Sequence, residues 1–254
     1  MHKTSFSNIV GYQTVSGIKG GAFKAFAVQF ENVSGGQLKI KSLLTTNGDK
    51  RSKICDSAAD QIWRWNTAES HWDKYFHYYD KNYKDNAGWC KEGEVLPTEE
   101  TIGSGETFFF RRSTSDKTAD GATLTLAGGV REFAGQESYA MKGGELAFMG
   151  YPWPIEMKVT DMFNYIPSSL RKRSKICDSA ADQIWRWNTA ENHWDKYFHY
   201  YDKNFKDNEG WCKEGETTPT KESIPAGEGF FFRRSTSDKS TEAQVVVTFT
   251  PPAS

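Results

Sequence analysis

One stretch of this chain occurs twice. Arg51 to Lys117 returns as Arg173 to Lys239, displaced by 122 positions, and only 10 of the 67 paired positions differ. A self-match at that offset is longer than the period of a small solenoid or propeller repeat and equals the length of a whole small domain. The sequence therefore predicts two homologous modules in tandem, residues 1–130 and 131–254, each long enough to bury a core of its own. The differences include Ser70/Asn192, Tyr83/Phe205, Ala87/Glu209 and a group running from Val95/Thr217 to Thr107/Gly229. That last group falls in a Gly/Pro/Ser-rich stretch and reads as a loop tolerant of change. No Trp, Cys or His differs within the repeat. Shared packing constraint and recent copying would each leave that identity.

The local patterns are those of strands. Lys24 to Phe30 places Phe26, Val28 and Phe30 on one face, and Gln37 to Leu43 alternates as a half-buried strand. Gln61 to Asn66 points Trp63 and Trp65 one way and Ile62 and Arg64 the other. With His71 to Asp80 it forms an expected hairpin, on β-propensity. A helix over 67–83 is the rival, because Trp72, Phe76, Tyr79 and Tyr83 also fit helical spacing and Asn66 with Glu69 resembles a capping box. Phe108-Phe109-Phe110 carries rings on both faces, as a central strand covered on both sides would. Ala122 to Ala127 is the last strand of the first module, with Gly128-Gly129 marking a boundary at 128–133. In the second module Met141 to Gly150 answers Ile18 onward, Glu156 to Thr160 answers the third strand, and Gln244 to Thr250 ends the plan before Pro251-Pro252. Tyr151-Pro-Trp-Pro154 has no counterpart and must be irregular. The expected fold class is all-β, two antiparallel β-sandwich or barrel-like modules.

The order Gly-Tyr-x-x-Val, Asp60-Gln-Ile-Trp-Arg-Trp-Asn66, a Trp/Tyr strand and Gly-Glu-x-Phe-Phe-Phe resembles a loose class of uncharacterised exported bacterial β-modules with a DQIWxW…GxGFFF pattern. The resemblance covers most of each module. It implies export and a β fold, and no particular activity.

Charge and cysteine usage narrow the function. With 32 basic and 33 acidic residues the net charge is −1, which gives no electrostatic case for nucleic acid. No apolar run approaches the roughly 20 residues of a membrane span. No leader pattern opens the chain, where Met1-His2-Lys3-Thr4 runs into Ile9-Val10-Gly11-Tyr12. A cytoplasmic protein and a mature exported one with a replaced start both stay open. Cys55 and Cys90, and Cys177 and Cys212, stand 35 apart in each copy. That pattern suggests bridges Cys55–Cys90 and Cys177–Cys212, each stabilising by roughly 3–4 kcal/mol, in a cell-surface or extracellular protein.

Catalytic and metal signatures are weak. His71 and His77 with Cys55 and Cys90 (and His193 and His199 with their own pair) suggest zinc only loosely, since histidines six apart on a strand lie roughly 20 Å from each other. Asp56, Asp60, Glu69, Asp73 and Asp80 read as a solvated face rather than an acid–base pair. No nucleophile elbow, phosphate loop or Ser/His/Asp signature is present. The expectation is a non-enzyme with no cofactor and no metal.

Aromatic density is the one chemical signal. Residues 61–90 hold nine aromatic side chains, more than one buried face of a hairpin needs. Exposed rings mark binding or assembly surfaces, and the expected surface residues are Trp63, Trp65, Trp72, Tyr78 and Trp89 with Trp185, Trp187, Trp194, Tyr200 and Trp211. The alternative is that both faces are covered, one inside a sandwich and one under the neighbouring module. The leading functional expectation is a structural subunit of a fibre, layer or adhesive that self-associates. The second is a bivalent module for extracellular polysaccharide.

Overall fold

The computed structural model describes residues 10–33, 36–130 and 136–251. Residues 6–9, 34–35 and Pro252, and the part of the expected boundary from 131 to 133, lie outside the described residues. The first half contains β1 (Val10–Ile18), β2 (Phe23–Ala27), β3 (Phe30–Glu31), β4 (Leu38–Lys39), β5 (Leu44–Thr46), β6 (Gln61–Asn66), β7 (His71–Tyr78), β8 (Gly88–Lys91), β9 (Thr101–Ile102), β10 (Thr107–Arg111) and β11 (Ala122–Val130). The second contains β12 (Glu137–Met141), β13 (Leu146–Gly150), β14 (Met157–Lys158), β15 (Gln183–Asn188), β16 (His193–Tyr200), β17 (Gly210–Lys213), β18 (Ser223–Ile224), β19 (Gly229–Arg233) and β20 (Gln244–Phe249). Strands make up 42% of the described residues and helices 7%, so the all-β expectation holds.

Each half builds one five-stranded antiparallel sheet, in the order β2-β10-β6-β7-β8 and β13-β19-β15-β16-β17. In the first half β1, β11, β3 and β5 form a second sheet against it. Phe108 and Phe110 of β10 and Ile62 of β6 meet Leu124 and Leu126 of β11 in the core between the two layers. In the second half the covering layer is reduced to β12-β20 and β14-β18. The irregular Tyr151 to Pro154 segment and a single helical turn, Met162–Tyr165, complete its core through Trp153, Met162 and Ile166.

Three local expectations are corrected. Gln37 to Leu43 is not a continuous strand: β4 gives way to a 3-10 turn at Ile40–Ser42, which buries Ile40 and Leu43 together with Leu38. Glu156 to Thr160 likewise supplies only β14 before a 3-10 turn at Val159–Asp161. Gly128-Gly129 does not end a strand, because β11 runs on to Val130 and Gly129 pairs with Glu31 of β3.

A buried ion pair locks the entry to each repeat. The Arg112 guanidinium donates to Asp60 at 2.7 Å and to Asp116 at 2.6 Å, while Asp60 also accepts the Lys50 and Ser113 backbone N–H groups. Arg234, Asp182 and Asp238 repeat the arrangement, with Arg234 and Asp182 fully buried. This holds the loop before β6 across β7, where Ser52 accepts from Tyr79 N and donates its own N–H to His77 O.

The expected disulfides are absent. Cys55, Cys90, Cys177 and Cys212 are free thiols. Cys90 is buried with Ala59, Phe76 and Tyr78, and Cys55 packs against that cluster. Cys212 and Cys177 do the same with Ala181, Phe198 and Tyr200. These cysteines act as small hydrophobic side chains, and burial pushes each thiol up to about 11.

Candidate functional site

Alternation along β6 and β10 turns Trp63, Trp65 and Phe109 away from the first half's core, on the face opposite Ile62, Phe108 and Phe110. β7 adds Trp72, which sits directly across from Trp65, and β2 adds Phe23 and Ala25. The second half presents Trp185, Trp187, Trp194, Phe231, Leu146 and Phe148 in the same way. These two aromatic faces pack against each other in one cluster.

The contact is reciprocal. The Trp65 indole N–H donates to Leu146 O at 3.1 Å, and the Trp187 indole N–H donates to Phe23 O at 3.2 Å. Trp72 meets Phe231 edge-on at 5.9 Å, and Trp194 meets Phe109 edge-on at 5.9 Å. Equivalent groups thus exchange partners across a pseudo-two-fold axis. Such a contact saturates itself and cannot propagate.

Close to the axis the symmetry must break. Phe148 stacks on Phe109 at 5.0 Å and on Phe231 at 4.6 Å, so one ring fills the space between two equivalent rings. Its counterpart in β2 is Ala25, since Phe23 and Leu146 pair with Arg111 and Arg233 in the same register. A second phenylalanine there would compete for one volume. The backbones also approach closely: a Cβ on Gly229 would lie 3.0 Å from Thr107 Cγ2, and a Cβ on Gly150 would fall inside 3.0 Å of Ala27 Cβ. Thr107 and Gly229 are a repeat pair, as are Ala27 and Gly150, so each side supplies bulk where the other supplies none. The Thr107/Gly229 difference is a packing adjustment at the seam and not loop variation, since Thr107 is 4% exposed.

Polar contacts tie the seam at its margin. Lys24 pairs with Glu228 at 2.9 Å, Glu228 in turn binds Arg186, and Ala27 N donates to Gly227 O at 2.8 Å. Gln29 donates to Trp153 O at 2.5 Å, and Tyr139 OH donates to Gly105 O at 2.9 Å.

No family model matches this chain, and no curated protein or solved structure matches it.

The ten expected surface residues therefore divide. Trp63, Trp65, Trp72, Trp185, Trp187 and Trp194 come together, half-buried, in the seam. Tyr78, Trp89, Tyr200 and Trp211 do not join them. They are buried within their own halves, at 3%, 3%, 3% and 0% exposure. Trp89 stacks on His77 at 5.2 Å and Trp211 on His199 at 5.7 Å. Tyr78 and Tyr200 lie under the cysteine-containing loops. Both faces of the hairpin are covered, which accounts for its excess of rings. Phe23, Phe109, Phe148 and Phe231 complete the seam and were not singled out from sequence. β2 and β13 differ at every register position, so the exchange of Ala25 for Phe148 gave no separate signal in the sequence.

The rings do not close the seam completely. Phe23, Trp63, Trp72, Phe109, Trp187 and Trp194 line an open cleft of about 150 Å³. Elsewhere, His199 is buried with Glu209 Oε1 3.7 Å from its Nε2, too far for a hydrogen bond, and burial lowers it to about 4. Among the described residues no group of His, Cys, Asp and Glu is placed to hold a metal ion, and no helix is long and apolar enough to cross a membrane.

Proposed function

We propose that this chain is a non-enzymatic structural subunit of an extracellular or cell-surface assembly, in which the seam joins two lobes into one rigid block. The aromatic face does not make the assembly contacts in this reading, because its two copies already satisfy each other. The contacts come from apolar side chains left outside. Ile54 and Ile176 are each 64% exposed, and Tyr83 and Phe205 are 62% and 60% exposed. In each half the two flank one surface ion pair, Lys53–Asp80 or Lys175–Asp202, since Tyr83 N and Phe205 N bond the carbonyls of those aspartates. The observation that carries the reading is this duplicated apolar pair on one block. A block with two equivalent outward patches links successive copies into chains. A net charge near zero leaves little repulsion to oppose that association. Export rests on the resemblance to exported β-modules, with no support from the cysteines.

The test is particle size by light scattering and electron microscopy across concentration. Ordered assemblies that grow with concentration and disappear in the double variant Ile54→Ser, Ile176→Ser are expected. A particle that stays monomeric at high concentration overturns the proposal. The rival reading, a bivalent polysaccharide binder, loses its two open ring platforms to the seam.

A further inference from the structure

We propose that the cleft at the seam is a binding site for a small flat aromatic ring that carries an acid group. This inference is independent of the assembly reading. The cleft is walled by six aromatic side chains drawn from both halves, and almost no polar surface faces into it. Its volume of about 150 Å³ matches that of an apolar cavity known to take a benzene-sized ring. Most of the lining rings that touch meet edge-on, and Trp63 and Trp72 meet at a tilt of 54°. Phe23 approaches Trp63 at 5.0 Å and 80°, Trp72 approaches Phe109 at 5.6 Å and 65°, and Phe109 approaches Trp194 at 5.9 Å and 79°. Walls set in this way present both faces and edges to a guest, which suits the offset and edge-to-face contacts that aromatic rings prefer. A sugar would find no converging hydrogen-bond partners there, and a site for one needs several.

The neighbouring cations specify the charge. The Arg111 guanidinium lies over Phe23, 5.6 Å from its centroid, and the Lys74 ammonium lies over Trp63 at 4.9 Å. Both rings line the cleft. Arg111 has no carboxylate partner among the described residues and makes one long hydrogen bond, 3.4 Å to Gln61 Oε1. Lys74 pairs with Glu92 at a long 3.9 Å. Two cations held over rings that line an apolar slot, one of them with no carboxylate partner among the described residues, favour a ring whose substituent is an anion. An arginine free of a carboxylate is also a ready bidentate partner for one.

The site is single. The pseudo-symmetric position has the small branched Leu146 where the cleft has the Phe23 ring, although Arg233 and Lys196 lie over Trp185 there, 5.9 and 5.4 Å from its centroid. One molecule per chain is therefore expected, although the repeat supplies most wall residues twice.

Four of the six lining residues are tryptophans, so intrinsic fluorescence reports occupancy directly. Phenylacetate is the probe, with 2-phenylethanol as the neutral ring and butyrate as the acid without a ring. Titration calorimetry gives the stoichiometry. The expected result is saturable binding of phenylacetate, one per chain, at least about tenfold tighter than either control, and weakened about tenfold by Arg111→Gln with the melting temperature unchanged. Absence of saturable binding at millimolar phenylacetate would overturn the proposal. So would equal binding of 2-phenylethanol, two equal sites per chain, or indifference to Arg111→Gln.

Discussion

The seam makes a quantitative demand at Gly150. A Cβ added there would lie inside 3.0 Å of the Ala27 Cβ and 3.2 Å from Thr107 Cγ2, whereas carbon atoms pack at about 3.5–4.0 Å. Ala27 Cβ is bonded to backbone and has no flexible tip to move. The two sheets would have to part by at least about 0.5 Å, and a gap of that size already forfeits roughly a quarter of the dispersion energy of each contact across it. Overpacking costs about 1–3 kcal/mol. Gly150→Ala should sit at the top of that range, because the displaced contacts include the Phe109–Phe148–Phe231 stack. For a chain of this size the melting temperature should fall by roughly 6–12 °C. Ala27→Gly alone should cost about 1 kcal/mol through a more flexible strand. Combined, the two should lose only about 1 kcal/mol relative to the parent, with a coupling of about 3 kcal/mol between the sites. Thermal melts of the four proteins by circular dichroism decide the matter. A neutral Gly150→Ala, or additive losses in the double variant, would refute the close approach and with it the placement of the axis.

Three further outcomes follow from the buried polar groups. Arg234→Ala strips the fully buried Asp182 of its cation and should lower stability by roughly 3–5 kcal/mol in urea titration; a loss under 1 kcal/mol would mean that water reaches the site. His199 is held at about 4 in the fold against an ordinary 6.5, by burial first, with Glu209 partly opposing and Arg173 and Arg171 reinforcing. A depressed histidine leaves more protons bound to the unfolded chain, so stability should fall as pH drops from 6.5 towards 4, by roughly 3 kcal/mol. His199→Phe, which keeps a ring against Trp211 and Phe163, should flatten that slope, and an unchanged slope would assign it elsewhere. All four thiols, pushed up to about 11, should resist alkylation at pH 8 when folded and react fully in denaturant without reductant; fewer than four reactive thiols would restore a disulfide.

The hairpin was legible because β6 and β7 carry strand-forming residues whose alternation serves two covered faces. The helical rival failed at the turn. Ser70 and Asn192 adopt left-handed backbone, at φ 54° and 58°, which reverses the chain and stacks Trp65 opposite Trp72. Even the apparent cap is present: Asn66 Oδ1 accepts from Glu69 N at 3.2 Å, closing a turn where a helix was the alternative. The triple phenylalanine was legible for a related reason, since its two faces serve two cores, Phe108 and Phe110 inward and Phe109 at the seam. The seam was legible only as an alternative, one face lying under the neighbouring module, and the sequence did not choose it over an exposed surface. Which face of Trp63 and Trp65 meets water depends on residues more than a hundred positions away, and periodicity within a strand carries no record of that. Leu38, Ile40 and Leu43 misled for the opposite reason. Alternation over 37–43 also fits a two-residue strand followed by a 3-10 turn that buries the same side chains.

Phe148 lies where a two-fold axis would run, and a residue in such a place meets its own copy. In a dimer of separate identical chains, any substitution there arrives in both partners at once, so a phenylalanine would face a phenylalanine. Joining the two halves in one chain lets one side keep the ring while the other withdraws to alanine, and the same holds for Thr107 with Gly229 and Ala27 with Gly150. The seam is therefore a pairing that a single gene can tune one side at a time. Having been tuned, its halves have ceased to be interchangeable: two copies of the second half would bring two Phe148 rings to one space, and two copies of the first would leave it empty.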